Sequence, residues 1–146
     1  MNKEIIVYID LDDTLCDYKG AFIKKVKENP LIQYPQSTYG FFLDLEPLPG
    51  AIESFNELSS LFSVYIASRP SYLNPMCYTE KRVWVEKHLG LEACKKMFLA
   101  PEKKLLIGNY LIDDVIHEGF KGEQIQFGSE KFPYWNYVLK YLKNEI

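Results

Sequence analysis

The chain has 146 residues, 47% hydrophobic and 25% charged, with a formal net charge of -3. That length and mixture suit one globular domain with its own core and argue against a disordered or fibrous chain. The acidic balance excludes a nucleic-acid polymer as the expected partner, since that would call for a basic face, and no apolar stretch approaches the roughly 20 residues of a membrane helix.

Met1 to Glu4 has no signal-peptide pattern and leads straight into Ile5 to Ile9, a continuous apolar run rich in β-branched residues. Such a run predicts a strand buried on both faces, as in a parallel sheet. It stops at Asp10-Leu11-Asp12-Asp13-Thr14, and Asp17 to Glu28 then reads as a helix with Ala21, Phe22, Ile23 and Val26 on its apolar side. Residues 29–49 contain Pro30, Pro35, Pro47 and Pro49 without a clean period, and read as an irregular insertion over one end of the domain. Gly50 to Leu61 is a helix by the spacing of Ile52, Phe55, Leu58 and Leu61. Phe62 to Ala67 is a second buried strand, broken by Ser68-Arg69-Pro70, with Ser71 to Pro75 as loop. Tyr78 to Leu89 is a helix capped by Gly90. Lys96 to Ala100 and Leu111-Ile112 are further strands, Ile125 to Phe127 a fifth candidate, and Tyr134 to Lys143 a terminal helix. Alternating strands and helices imply an α/β domain with a mainly parallel sheet. The three cysteines, Cys16, Cys77 and Cys94, are odd in number and follow no zinc spacing, and are expected to be free and inert in a reduced, cytoplasmic protein.

In an open α/β sheet, ligands bind beyond the carboxyl ends of the strands. The predicted strand ends carry Asp10 and Asp12, Ser68, and Asp113 with Asp114, while Lys103 follows the third strand. Converging carboxylates repel one another unless a cation lies among them, and hard oxygen ligands beside a phosphate favour Mg²⁺. A carboxylate can attack phosphorus, and Asp10 stands where that nucleophile would be. Asp12, two residues on, can protonate the leaving oxygen and later deprotonate water. The Ser68 hydroxyl and Lys103 ammonium suit phosphate oxygens.

At these residues the sequence resembles the haloacid dehalogenase-like (HAD) superfamily: Asp10 to Thr14 is similar to its DxDxT motif, and Ser68, Lys103 and Asp113-Asp114 to its second, third and fourth motifs. A closer resemblance is to the cytosolic and mitochondrial 5'(3')-deoxyribonucleotidases. It lies in Leu45 to Ala51, Cys77, Glu80-Lys81, Trp84 to Lys87, Leu89-Gly90 and Leu111 to Asp114. The resemblance implies a Rossmannoid three-layer sandwich with a small cap at 29–49 within a single domain, 1–146. It also implies a Mg²⁺-dependent phosphatase acting on (deoxy)nucleoside monophosphates through an aspartyl-phosphate, or on another small phosphate ester. Asp10 would be nucleophile and metal ligand. Asp12 would be acid/base and would bind the metal through its backbone carbonyl. Asp114 would complete the metal site, with Asp113 binding the metal or supporting it. Tyr18 falls where that family places an aromatic ring near the nucleoside. Some relatives with small caps cover the open edge with a partner subunit, so a homodimer enters the expectations.

The sequence departs from the family in places. Asp13 replaces Gly, Arg69 replaces Ser or Thr, and Val115 replaces Arg, while residues 29–44 are shorter than the family's cap. Tyr39, Phe41 and Phe42 are candidates to substitute for missing base contacts, against a plainer reading in which they and Tyr18 are packing residues. Arg69 either pairs with a carboxylate or grips phosphate. Trp84 and Trp135 read as core, and His88 and His117 as structural or exposed. A receiver domain would need a phosphoacceptor Asp on a middle strand, and none lies between Asp44 and Asp113. A catalytically inactive protein of the same fold is disfavoured by the intact acidic set. An EF-hand fails because Leu15 and Ala21 stand where its loop needs Gly and Glu.

Overall fold

A computed structural model of the chain describes residues 4–146; residues 1–3, the start of the segment read as lacking a leader, lie outside it. Strands β1 (Ile6–Ile9), β2 (Ser63–Ser68), β3 (Met97–Leu99), β4 (Tyr110–Asp113) and β5 (Glu123–Gln126) form one sheet in the order β3-β2-β1-β4-β5. Every neighbouring pair is parallel. The helices are α1 (Tyr18–Glu28), α2 (Ala51–Leu61), α3 (Pro75–Leu89), α4 (Leu91–Cys94) and α5 (Trp135–Lys143).

Most elements lie where the periodicity put them; the differences are local. Helix α3 starts at Pro75 rather than Tyr78, because Asn74 caps it by accepting the Met76 N–H at 3.0 Å and Pro75 occupies a first-turn position whose missing N–H costs nothing. The loop after β2 is shorter by the same residue. Strand β4 is longer than Leu111-Ile112 and includes Asp113, and β5 begins at Glu123, earlier than the Ile125 to Phe127 run. The short α4 carried no sequence signal. Residues 29–49 are irregular as expected, apart from a 3-10 turn at Pro35–Ser37.

The strand order explains how the two faces of the sheet are covered. From β1 the chain moves outward to β2 and β3, then returns to the other side of β1 for β4 and β5. Parallel crossovers are right-handed, so the two directions of travel place their connections on opposite faces. Val7, Ile9, Val64, Ile66 and Ile112 face a large core to which all five helices contribute. Tyr8, Ala67 and Leu111 face the other side, where Leu106 and Phe120 of the connecting loops cover them and no α-helix among the described residues contributes. There Tyr8, Tyr65 and Phe98 form a ring trio with centroids 5.7 to 6.0 Å apart. The Tyr8 hydroxyl donates to the Ile107 carbonyl at 2.7 Å, and a Cβ on Gly108 would meet the Tyr8 ring at 2.5 Å, so the loop can lie this close only as glycine. The result is an α/β sandwich of helices, sheet and a thin loop layer. No helix among the described residues is long and apolar enough to cross a membrane.

The reversal of direction falls between β1 and β4. A crevice opens at such a switch point, beyond the carboxyl ends of the two strands. Asp10 follows β1 and Asp113 ends β4.

Candidate active site

Beyond Ile9, the Asp10 N–H donates to the Ile112 carbonyl at 2.9 Å, so the β1–β4 ladder carries Asp10 into the crevice with its backbone fixed. The chain then turns tightly. Leu15 and Cys16 both donate their N–H to the Leu11 carbonyl, and Asp13 has φ +60°. Glycine adopts that left-handed conformation at least cost. Aspartate tolerates it better than most residues, and the Asp13 side chain accepts the Lys19 N–H at 2.9 Å. Two further contacts hold the turn: Thr14 Oγ1 donates to Asp10 Oδ2 at 3.2 Å, and the buried indole of Trp135 donates to the Thr14 carbonyl at 2.8 Å.

Lys103 joins the two strand ends. Its buried Nζ lies 2.7 Å from Asp10 Oδ1 and 2.6 Å from Asp113 Oδ2. Asp10, Asp113 and Asp114 each present an oxygen within 4.8 Å of the others. One lysine cannot neutralise three carboxylates. Burial opposes the Asp113 anion, yet Lys103, the Val115 N–H and His117 hold its pKa below the ordinary value. Burial pushes Asp10 well above its usual range, with Lys103 opposing and Asp113 and Asp12 reinforcing the rise. Asp114 is lifted to about 6, chiefly by burial. For Lys103, burial disfavours the charged form, but Asp10 and Asp113 outweigh it and raise its pKa. The excess negative charge and the hard oxygen donors suit a divalent cation of the Mg²⁺ kind.

Asp12 stands apart from that trio. Its Oδ2 pairs with Lys81 Nζ at 3.0 Å, and the same Nζ bonds Ser68 Oγ and the Arg69 carbonyl, the latter at 3.2 Å. Ser68 is fully buried at the end of β2, whereas Arg69 is exposed and its side chain makes no ion pair among the described residues. Tyr18 is half-buried, with its ring 5.5 Å from Phe41 and 6.1 Å from Phe42. Phe41 and Phe42 are themselves buried in packing, while Tyr39 is exposed. Trp84 and Trp135 are core, and Cys16, Cys77 and Cys94 are free. Burial raises the thiol pKa of Cys16 and of Cys77, which disfavours the reactive thiolate.

Three residues at this edge carried no role in the sequence. Lys81 and Glu80 are buried on α3 together with Cys77, Trp84 and Val85. Those positions form one helical stripe, so two charges on an apolar stripe were the available signal. The Glu80 carboxylate accepts the N–H groups of Gly40 at 2.9 Å and Phe42 at 3.1 Å, tying residues 40–42 to α3. His117, read as structural or exposed, places Nε2 2.9 Å from Asp113 Oδ2.

The profile of the family described as "5' nucleotidase, deoxy (Pyrimidine), cytosolic type C protein" matches residues 24–139. The chain belongs to this family. The family lies within the HAD superfamily and comprises hydrolases of phosphoric monoesters. A protein of Vibrio phage KVP40 named as a candidate 5'(3')-deoxyribonucleotidase is 38% identical over 145 residues, covering 96% of this chain and 85% of its own length. The human cytosolic 5'(3')-deoxyribonucleotidase is 29% identical over 170 residues, covering 95% of this chain and 81% of its own. A Bordetella bronchiseptica protein, also named as a candidate, is 49% identical over 137 residues, covering 75% and 74%. The human alignment is longer than the stretch of this chain it spans, so roughly thirty of its positions have no counterpart here. The phage alignment shows almost no such excess. Within the family this chain is therefore of a compact form. Val115, read from the sequence as a departure from the family pattern, has an exposed side chain, and its N–H donates to Asp113 Oδ1 at 3.0 Å.

Proposed function

We propose that the chain is a Mg²⁺-dependent phosphatase of (deoxy)nucleoside monophosphates that works through an aspartyl-phosphate on Asp10. The observation that carries this reading is Lys103 bridging Asp10 and Asp113 at 2.7 and 2.6 Å beside Asp114, in a chain of the nucleotidase family. Asp10 and Asp114, with the Asp12 backbone carbonyl, would hold the cation. Asp113 already receives Lys103, His117 and the Val115 N–H and would support the site rather than bind the metal. The cation would offset the charge that these carboxylates and the phosphoryl group bring together and would accept a phosphoryl oxygen.

An Asp10 carboxylate oxygen attacks phosphorus and the ester P–O bond breaks, with the leaving oxygen taking a proton from Asp12. Water then attacks the aspartyl-phosphate at phosphorus, gives its proton to Asp12, and inorganic phosphate departs as the Asp10 carboxylate is restored. Lys103 spends two of its three N–H donors on Asp10 and Asp113, leaving one for a phosphoryl oxygen. Ser68 binds a second oxygen, and the exposed Arg69 reaches the substrate from the rim. Residues 29–49 serve as a small cap, with Tyr18 at its inner edge towards the nucleoside. The free cysteines suit a cytoplasmic setting.

A second reading keeps the chemistry and changes the substrate to another small phosphate ester. Phe41 and Phe42 favour it, because both are buried in packing rather than open to a base. Phosphate release from 5'- and 3'-(deoxy)nucleoside monophosphates and sugar phosphates, with Mg²⁺ or chelator, separates the two. Nucleotide-selective, metal-dependent release that falls at least about a thousandfold in Asp10→Asn is expected. Preference for a sugar phosphate would establish the second reading, and full activity in Asp10→Asn would overturn both.

A further inference from the structure

We propose that Lys81 is a positioning residue for phosphate capture: it fixes Ser68 as a hydrogen-bond donor and does not itself touch the phosphate. The inference rests on the reading of Ser68 as a phosphate-binding residue and adds a residue to which that reading gives no part.

The geometry is a matter of counting donors. A lysine ammonium has three N–H groups and no acceptor. Lys81 Nζ meets Asp12 Oδ2 at 3.0 Å, the Arg69 carbonyl at 3.2 Å and Ser68 Oγ, so all three are used within the protein. Lys103, by contrast, has one left. The Lys81 side chain is 2% exposed and lies over the Phe42 ring at 5.2 Å from its centroid, which closes its remaining side. Lys81 is therefore both saturated and screened.

What it does to Ser68 follows. The serine hydroxyl carries one donor and two acceptor sites. Because its partner is an ammonium, Ser68 Oγ accepts in that contact, and its own proton has no acceptor among the described residues. A hydroxyl left to itself would donate to the nearest carboxylate of this acidic edge and present lone pairs to an incoming phosphate. With Lys81 on a lone pair and Asp12 held by the same nitrogen, the Ser68 proton remains for a phosphoryl oxygen. Preorganising a donor in this way avoids reorienting it when the anion arrives.

The test compares Lys81→Met in the wild-type and Ser68→Ala backgrounds, in Mg²⁺ buffer. Hydrolysis of p-nitrophenyl phosphate gives kcat and KM, inorganic phosphate is the competitive inhibitor, and thermal unfolding reports folding. Lys81→Met is expected to raise the inhibition constant of phosphate about tenfold in the wild-type background and by less than about twofold in Ser68→Ala, since a contact that works through a hydroxyl vanishes with it. A rise of equal size in both backgrounds would mean that Lys81 acts on the anion as a bare charge, and would overturn the inference. So would an unchanged constant in Lys81→Met while Ser68→Ala loses affinity. If Ser68→Ala keeps wild-type phosphate inhibition, the phosphate role of Ser68 falls and the inference falls with it, a result distinct from the other two. Lys81→Gln, which keeps an N–H donor for Ser68, should retain more phosphate affinity than Lys81→Met, and it carries the same comparison should Lys81→Met fail to fold.

Discussion

Tyr18 shows how one side chain answers both to packing and to the charge beside it. Burial raises its pKa to about 12, with the carboxylates of Asp12 and Asp13 and the Cys77 thiol adding to the rise. A tyrosine whose folded pKa exceeds the ordinary value of about 10 binds its proton more tightly in the native state. Its stabilising contribution is complete below pH 10 and is lost as pH rises towards 12. Denaturant unfolding between pH 9 and 11 should therefore show the wild type losing stability relative to Tyr18→Phe, by less than about 1 kcal/mol once solvent screening of a half-buried ring is allowed for. A constant difference across that range would mean the phenol ionises as an exposed one does. Asp10, Asp12, Ser68, Lys103 and the Asp113-Asp114 pair were legible in the sequence because each stands at or near the end of an apolar run, where a parallel sheet opens its crevice. Lys81 was not, since its partner Asp12 lies 69 positions away and no spacing encodes such a contact. His117 was missed for a different reason: a lone histidine after a strand has many plainer uses, and only the fold brings its ring to Asp113.

Helix α3 shows why element positions were easier to read than their internal faces. Its stripe of Cys77, Glu80, Lys81, Trp84 and Val85 mixes buried charges with apolar residues, which blurs the amphipathic pattern although the helix itself is plain. Polar groups on the helix and at its cap hold the preceding irregular segment at several points. The Trp84 indole donates to the Leu45 carbonyl at 2.7 Å, the Asn74 cap also donates to the Gln36 carbonyl at 3.0 Å, and Glu80 takes the N–H groups of Gly40 and Phe42. Residues 29–49, irregular in themselves, are thus ordered by contacts from α3 rather than by a period of their own. Glu80→Gln keeps the shape but weakens charge-assisted acceptance of two N–H groups, and should cost about 1–2 kcal/mol. Hydrogen exchange at Gly40 and Phe42 should accelerate well before that of β1. Equal acceleration throughout the chain would show instead that Glu80 supports the whole fold rather than this segment.

For the molecule as a whole, the helices cover one face of the sheet, loops cover the other, and net negative charge gathers at the crevice between β1 and β4. Because burial disfavours the charged forms of both Asp10 and Asp114, a cation bound between them should stabilise the native state by mass action. Millimolar Mg²⁺ should raise the Tm of chelator-treated wild type by a few degrees at pH 8 and do little for Asp114→Asn. In chelator, that variant should match or exceed the wild type, since it removes a carboxylate whose pKa is lifted to about 6. A Mg²⁺ response of equal size in both proteins would place the cation elsewhere.

The sequence by itself determined the α/β class, the order of the main elements and the residues that end the strands. All of these depend on local periodicity and on the rule that parallel sheets bind ligands at their carboxyl edge. Only the tertiary structure decided that the sheet is wholly parallel, that loops cover one of its faces, and that Asp12 belongs with Lys81 and Ser68 while Asp10 belongs with Lys103 and Asp113. The first set is written in residues a few positions apart. The second depends on which distant side chains the crossovers bring within hydrogen-bonding distance, and on how three N–H donors are shared when they arrive.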